Sequence, residues 1–126
     1  MARVVVLIPD LLFGSQVQGA LEAAGYEVDL VGRTDRAEER LSPAAGVPVP
    51  AVLIVDLASP EFDGVTFVSD LADKQKLAGI RTLGLYPHVD DEMRWLAERA
   101  NFDRVVPRSR MSREGADLVT RLISNR

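Results

Sequence analysis

The 126-residue sequence has no cysteine, one histidine and, among 15 basic residues, only two lysines, Lys74 and Lys76. The missing cysteine excludes disulfides and thiolate metal sites and fits a reducing cytoplasm. The lone histidine, His88, forms no Ser-His-Asp arrangement by spacing; it reads as a solvated loop side chain or as a pH-sensing group. No apolar stretch approaches the roughly 20 residues needed to cross a bilayer. The apolar start from Met1 to Phe13 could mimic a signal peptide, but Pro9 and Asp10 interrupt it and no small-residue cleavage site follows directly, so a buried strand is the better reading. No glycine-rich fingerprint follows the first apolar run, since Gly14 stands alone before Gly19. Dinucleotide binding is therefore unsupported. A strong excess of either charge is missing too: the net charge is −4, which argues against nucleic-acid binding by the whole chain.

What is present is a globular pattern. Hydrophobic residues make up 47% of the chain, and this length suits one domain, residues 1–126, that buries roughly two-thirds of its unfolded surface. Val4–Ile8 and Ala51–Val55 are apolar throughout, as expected of strands covered on both faces of a parallel sheet. Tyr26–Val31, Ile80–Leu85 and a short segment around Val105-Val106 complete five strands. Helical spacing falls between them. Ser15 is the expected cap of a first helix with Val17, Ala20, Leu21 and Ala24 inward and Gly25 at its end. Thr34 or Asp35 caps a second helix through about Leu41. Val65, Val68, Leu71 and Ala72 mark a third. A fourth, capped by Asp90 or Asp91, turns Met93, Leu96, Ala97 and Ala100 inward. The fifth is expected from about Ser112, with Leu118, Val119, Leu122 and Ile123 inward. Residues 42–50 hold Pro43, Pro48, Pro50 and Gly46 and read as a loop.

Strict alternation of strand and helix predicts a doubly wound α/β fold with right-handed crossovers. Ligands in such sheets bind beyond the carboxyl ends of the strands. The residues there are Asp10, Asp56, Tyr86-Pro87-His88 and Pro107-Arg108, so two carboxylates and a guanidinium are expected on one rim.

Asp56 ends an apolar run and is followed by Pro60 four residues on and by Asp63-Gly64 at seven and eight. This string resembles the phosphoacceptor signature of response-regulator receiver domains. Further on, Ala100-Asn101-Phe102-Asp103-Arg104-Val105-Val106-Pro107-Arg108-Ser109 resembles the family's segment around its active-site Lys-Pro pair. The similarity spans essentially the whole chain. It implies a flavodoxin-like sheet of order 2-1-3-4-5, with Asp56 as phosphoacceptor. It also implies magnesium held by Asp10, Asp56 and the backbone carbonyl of Ala58, and an output face on the fourth helix, fifth strand and fifth helix.

Four positions depart from the family pattern. Pro9 replaces one of the paired acids, Tyr86 the switch Ser/Thr, Arg108 the Lys and Ser109 the cis-peptide Pro. Losing one acid implies weak magnesium binding, because that ion favours an octahedron of oxygens. Arginine keeps the positive charge but is larger and planar, and it can pair permanently with Asp56. A phenol at 86 is too long to act as the family's short hydroxyl does. Without proline at 109, a cis bond is not expected.

For several residues an ordinary structural role competes with the functional one. Asp56 is a phosphoacceptor or a loop anchor for backbone amides; Asp10 is a metal ligand or a helix cap; Tyr86 is a rotamer switch or a packed rim aromatic. Arg104, Arg108, Arg110 and Arg113 form a docking patch or a solvated stretch, and Trp95 an interface residue or part of a wide packed face. The leading expectation is a receiver-like signalling module of two-component type, a pseudo-receiver acting through protein contacts, with a homodimer left open and no membrane partner. Because the chain ends just after the fifth helix, a partner is expected to read its state unless it is part of a longer protein. The alternatives are a working receiver phosphorylated on Asp56 with magnesium, and a flavin or small-molecule binder of flavodoxin-like fold.

Overall fold

A computed structural model describes residues 2–42, 47–87 and 91–124, except for the side chains of 93, 94 and 99. Pro43, Gly46, His88, Asp90 and the side chain of Met93 lie outside that description. Ten elements alternate along the chain: β1 (Arg3–Leu7), α1 (Leu11–Ala23), β2 (Glu27–Val31), α2 (Thr34–Leu41), β3 (Val52–Asp56), α3 (Gly64–Asp73), β4 (Arg81–Tyr86), α4 (Asp91–Arg99), β5 (Arg104–Pro107) and α5 (Arg108–Ser124).

The strands form one sheet of order β2-β1-β3-β4-β5, with every neighbouring pair parallel. The central strands are aliphatic on both sides because both sides are covered. Val4, Val6, Ile8, Val52, Ile54, Leu83, Leu85 and Val106 pack under α1 and α5. Val5, Leu7, Leu53, Val55 and Val105 pack under α2, α3 and α4. The expected doubly wound architecture is the one observed.

Element starts depart from expectation where a cap or a large side chain outweighs the alanine pattern. Helix α1 begins at Leu11, not near Ser15, because the Asp10 carboxylate accepts the Phe13 N–H at 3.1 Å and closes the first turn. The buried stripe is then Phe13, Gly14, Val17 and Leu21, while Ala20 and Ala24 face solvent. Gly25 does follow the helix end, at φ 98°, a left-handed position that favours glycine.

Neither Thr34 nor Asp35 caps α2. Arg33 occupies that position without a side-chain cap bond, and Asp35 instead pairs with the Arg33 guanidinium. In α4 (nine residues), Ala97 is buried but Leu96 is 44% exposed. Helix α5 starts four residues earlier than Ser112, directly after β5. Met111 and Gly115 extend the Leu118-Val119-Leu122 stripe upstream, and all five are buried.

Candidate functional site

The order β2-β1-β3 puts the carboxyl ends of β1 and β3 side by side at the reversal of strand order, where open parallel sheets bind ligands. Asp10 follows β1 and Asp56 ends β3. Arg108, the first residue of α5, comes from β5, two strands away from β3. At about 4.8 Å per strand this is a gap of roughly 10 Å, and a long side chain spans it.

The three side chains meet. Arg108 Nη2 lies 3.5 Å from Asp10 Oδ2 and 3.5 Å from Asp56 Oδ2. The other oxygen of each carboxylate is committed to the backbone: Phe13 N–H donates to Asp10 Oδ1 at 3.1 Å, and Ala58 N–H donates to Asp56 Oδ1 at 3.0 Å. Both structural readings of these acids, helix cap and loop anchor, are thus present in the geometry. The guanidinium also stacks over the Phe13 ring, 4.3 Å from its centroid, and Arg108 Nε is buried without a hydrogen-bond partner.

Burial separates the two acids. Asp56 is 2% exposed, and this desolvation pushes its carboxyl above the ordinary range, against the pull of the Ala58 N–H and Arg108; the charge of Asp10 adds to the rise. The Phe13 N–H holds Asp10 below its ordinary value, against some desolvation, with help from the Leu12 N–H and Arg108. A cavity of about 210 Å³ opens over the group, lined by Pro9, Asp10, Asp56, Ala58, Ser59, Pro60, Glu61 and Arg108.

The Asp63-Gly64 part of the motif has a local physical role. Asp63 caps α3 by accepting the Thr66 N–H at 3.1 Å, which lowers its pKa. Gly64 lies so close to β3 that a Cβ there would sit 2.9 Å from Val55 Cγ1 and 2.6 Å from Leu57 Cδ2. Gly64→Ala is therefore expected to lower the unfolding free energy by about 1–3 kcal/mol. A urea midpoint equal to that of the parent would show that the backbone yields instead.

Other expected residues fall elsewhere. Tyr86 is buried at the end of β4, 6% exposed, and is not among the residues lining the Asp10–Asp56–Arg108 cavity. No peptide bond among the described residues is cis, the one before Ser109 included. Trp95 is 56% exposed, Arg110 pairs with Glu114 at 3.1 Å, and Arg113 faces solvent. Sequence reasoning missed Phe13 as the platform for Arg108. The three-residue spacing from Asp10, which matches that from an N-cap to its amide partner, was the available signal.

The donor set does not fit a divalent cation well. Among the described residues no group of three or more Asp, Glu, His or Cys gathers. Pro9 offers no side-chain oxygen, and a guanidinium nitrogen lies close to both carboxylates. Magnesium favours an octahedron of oxygens.

No protein-family model matches the chain, and no curated protein matches it. Solved structures do. The receiver domain of Francisella response regulator 1452 superimposes with a TM-score of 0.81 at 14% identity, over 98% of each chain. The signal receiver domain of the response regulator NarL from Mycobacterium tuberculosis reaches 0.77 at 22% identity, over 99% of this chain and 98% of that one. The phosphorylated cyanobacterial phytochrome response regulator RcpA gives 0.80 at 15%, over 99% and 96%. No helix among the described residues is long and apolar enough to cross a membrane. Strand order, helix placement and these superpositions agree: the chain has the fold of a response-regulator receiver domain.

Proposed function

We propose that the protein is a cytoplasmic, receiver-like signalling module of two-component type that works through protein–protein contact, and that its phosphorylation site is degenerate. The observation that carries this reading is the shared ion contact of Arg108 with Asp10 and Asp56. Phosphoryl transfer to an aspartate relies on positioning and charge neutralisation around an accessible carboxylate. Here the carboxylate in the phosphoacceptor position is almost fully buried, one oxygen is held by a backbone amide and the other faces an arginine. Tyr86, in the switch position, is buried and supplies no short hydroxyl. The module therefore has no enzymatic turnover, and at most it phosphorylates itself from a donor.

The partner surface in this reading is the α4–β5–α5 face. It carries the exposed Trp95, together with Arg104, Arg110 and Arg113. Exposed aromatics and arginines are the residue types that dominate interface energetics. A homodimer through the same face would register as a mass that rises with concentration in sedimentation.

Incubation with a small phosphodonor and magnesium, followed by intact mass spectrometry, tests the reading. The expected result is no stoichiometric phosphoryl adduct. A full adduct on Asp56 that disappears in Asp56→Asn would make the protein a working receiver, with Arg108 supplying the charge.

A further inference from the structure

We infer that Arg108 is a built-in counter-ion that takes the charge-neutralising place of a divalent cation between Asp10 and Asp56, so that the site is organised without metal. The inference deepens the proposed function and rests on it for the identity of the site. One nitrogen, Nη2, stands 3.5 Å from an oxygen of each acid, so a single positive charge serves both carboxylates. The two oxygens that face away from it already accept Phe13 N–H and Ala58 N–H. A cation entering here competes for the same oxygens with a charge fixed to the chain.

Phe13 supports that charge, and two local costs leave the carboxylates as what fixes it there. Phe13 lies under the guanidinium at 4.3 Å, and an aromatic face attracts a cation most when water is excluded. Arg108 Nε is buried without a partner, so charge, rather than a full set of hydrogen bonds, accounts for the position of the side chain. Arg108 is also the first residue of α5, whose first turn contains no acid. A cation is unfavourable at a helix N-terminus, and the carboxylates of Asp10, after β1, and Asp56, at the end of β3, supply the compensating negative charge. The same contact ties the start of α5 to the ends of two central strands.

The test is a magnesium titration of the full chain, read by thermal unfolding, together with manganese-induced broadening of backbone amide resonances at residues 10 and 56–58. The parent protein is expected to show no magnesium-dependent shift and no selective broadening. Arg108→Gln leaves two carboxylates without a counter-charge. It is expected to gain a midpoint rise of about 4–8 °C at about 10 mM magnesium, as a site of roughly millimolar affinity would produce. Selective broadening at those residues in the parent at submillimolar manganese overturns the inference, and this arm decides even if Arg108→Gln fails to fold. An Arg108→Gln variant that folds and ignores magnesium overturns it as well. The two readings fail separately. A phosphoryl adduct on Asp56 formed with magnesium omitted sinks the degenerate site but not the counter-ion, whereas metal binding by the parent without an adduct sinks only the counter-ion.

Discussion

Arg108→Ala is expected to lower the unfolding free energy by about 2 kcal/mol at neutral pH, a midpoint drop of roughly 6–12 °C for a domain of this size. Removing one partner of a fully buried ion pair costs about 3–5 kcal/mol, because the other charge is left without compensation. Two facts reduce the figure here. The Arg108 side chain is 32% exposed and its two contacts are 3.5 Å long, so solvent screens part of the interaction. Loss of the Phe13 contact adds to the effect. The mechanism is separable by a double-mutant cycle. If Arg108 acts by neutralising Asp56, the loss shrinks when Asp56 is already Asn. An Arg108→Ala penalty of the same size in both backgrounds would show that the guanidinium matters through packing alone.

Asp56→Asn is expected to raise stability at neutral pH, because burial outweighs the pull of Arg108 and the Ala58 N–H on the charged carboxylate. Asp56 is 2% exposed and burial is the largest influence on its titration, raising its pKa. An amide of nearly the same shape retains an oxygen able to accept the Ala58 N–H, whose bond to Asp56 is 3.0 Å long, and it removes the buried charge. The pH dependence follows from linkage. A carboxyl whose folded pKa lies above its unfolded one binds its proton more tightly in the folded state. Its contribution is fully present below the ordinary carboxylate range and is lost as pH rises through the raised value. The stability difference between variant and parent should therefore be near zero in strong acid, grow as pH rises from the ordinary carboxylate range to that raised value, and level off above it. Asp10, Asp63 and Glu38 are shifted the other way; their contributions fade as pH falls, but they are common to both proteins and largely cancel in the difference. Urea unfolding across the acid range measures it, and a difference that is flat with pH or favours the parent at pH 7 would contradict the account.

Much of the architecture was legible because it depends on local apolar patterning. The unbroken aliphatic runs at 4–8 and 51–55 read as strands covered on both faces of a parallel sheet, and β1 and β3 are central strands of one. The rim residues Asp10, Asp56 and Arg108 followed from the rule that sites lie at strand carboxyl ends, and the three meet there. Helix starts were less legible. The expected start at Ser15 missed the cap supplied by Asp10, because an acid next to a proline in an apolar stretch also reads as a loop. The late start expected for α5 came from overlooking Met111, whose burial carries the apolar stripe back to Arg108.

Sequence alone determined the α/β alternation, the likeness to receiver domains and the departures at Pro9, Tyr86, Arg108 and Ser109, since each depends on residue identity along one line of chain. Only the tertiary structure decided that one guanidinium nitrogen serves both carboxylates, that Phe13 supports it, and that Tyr86 is buried away from the cavity lining. Those relations join β1, β3 and α5, which are far apart in sequence. Distances between such groups are set by strand order and side-chain reach, neither of which is written in local spacing.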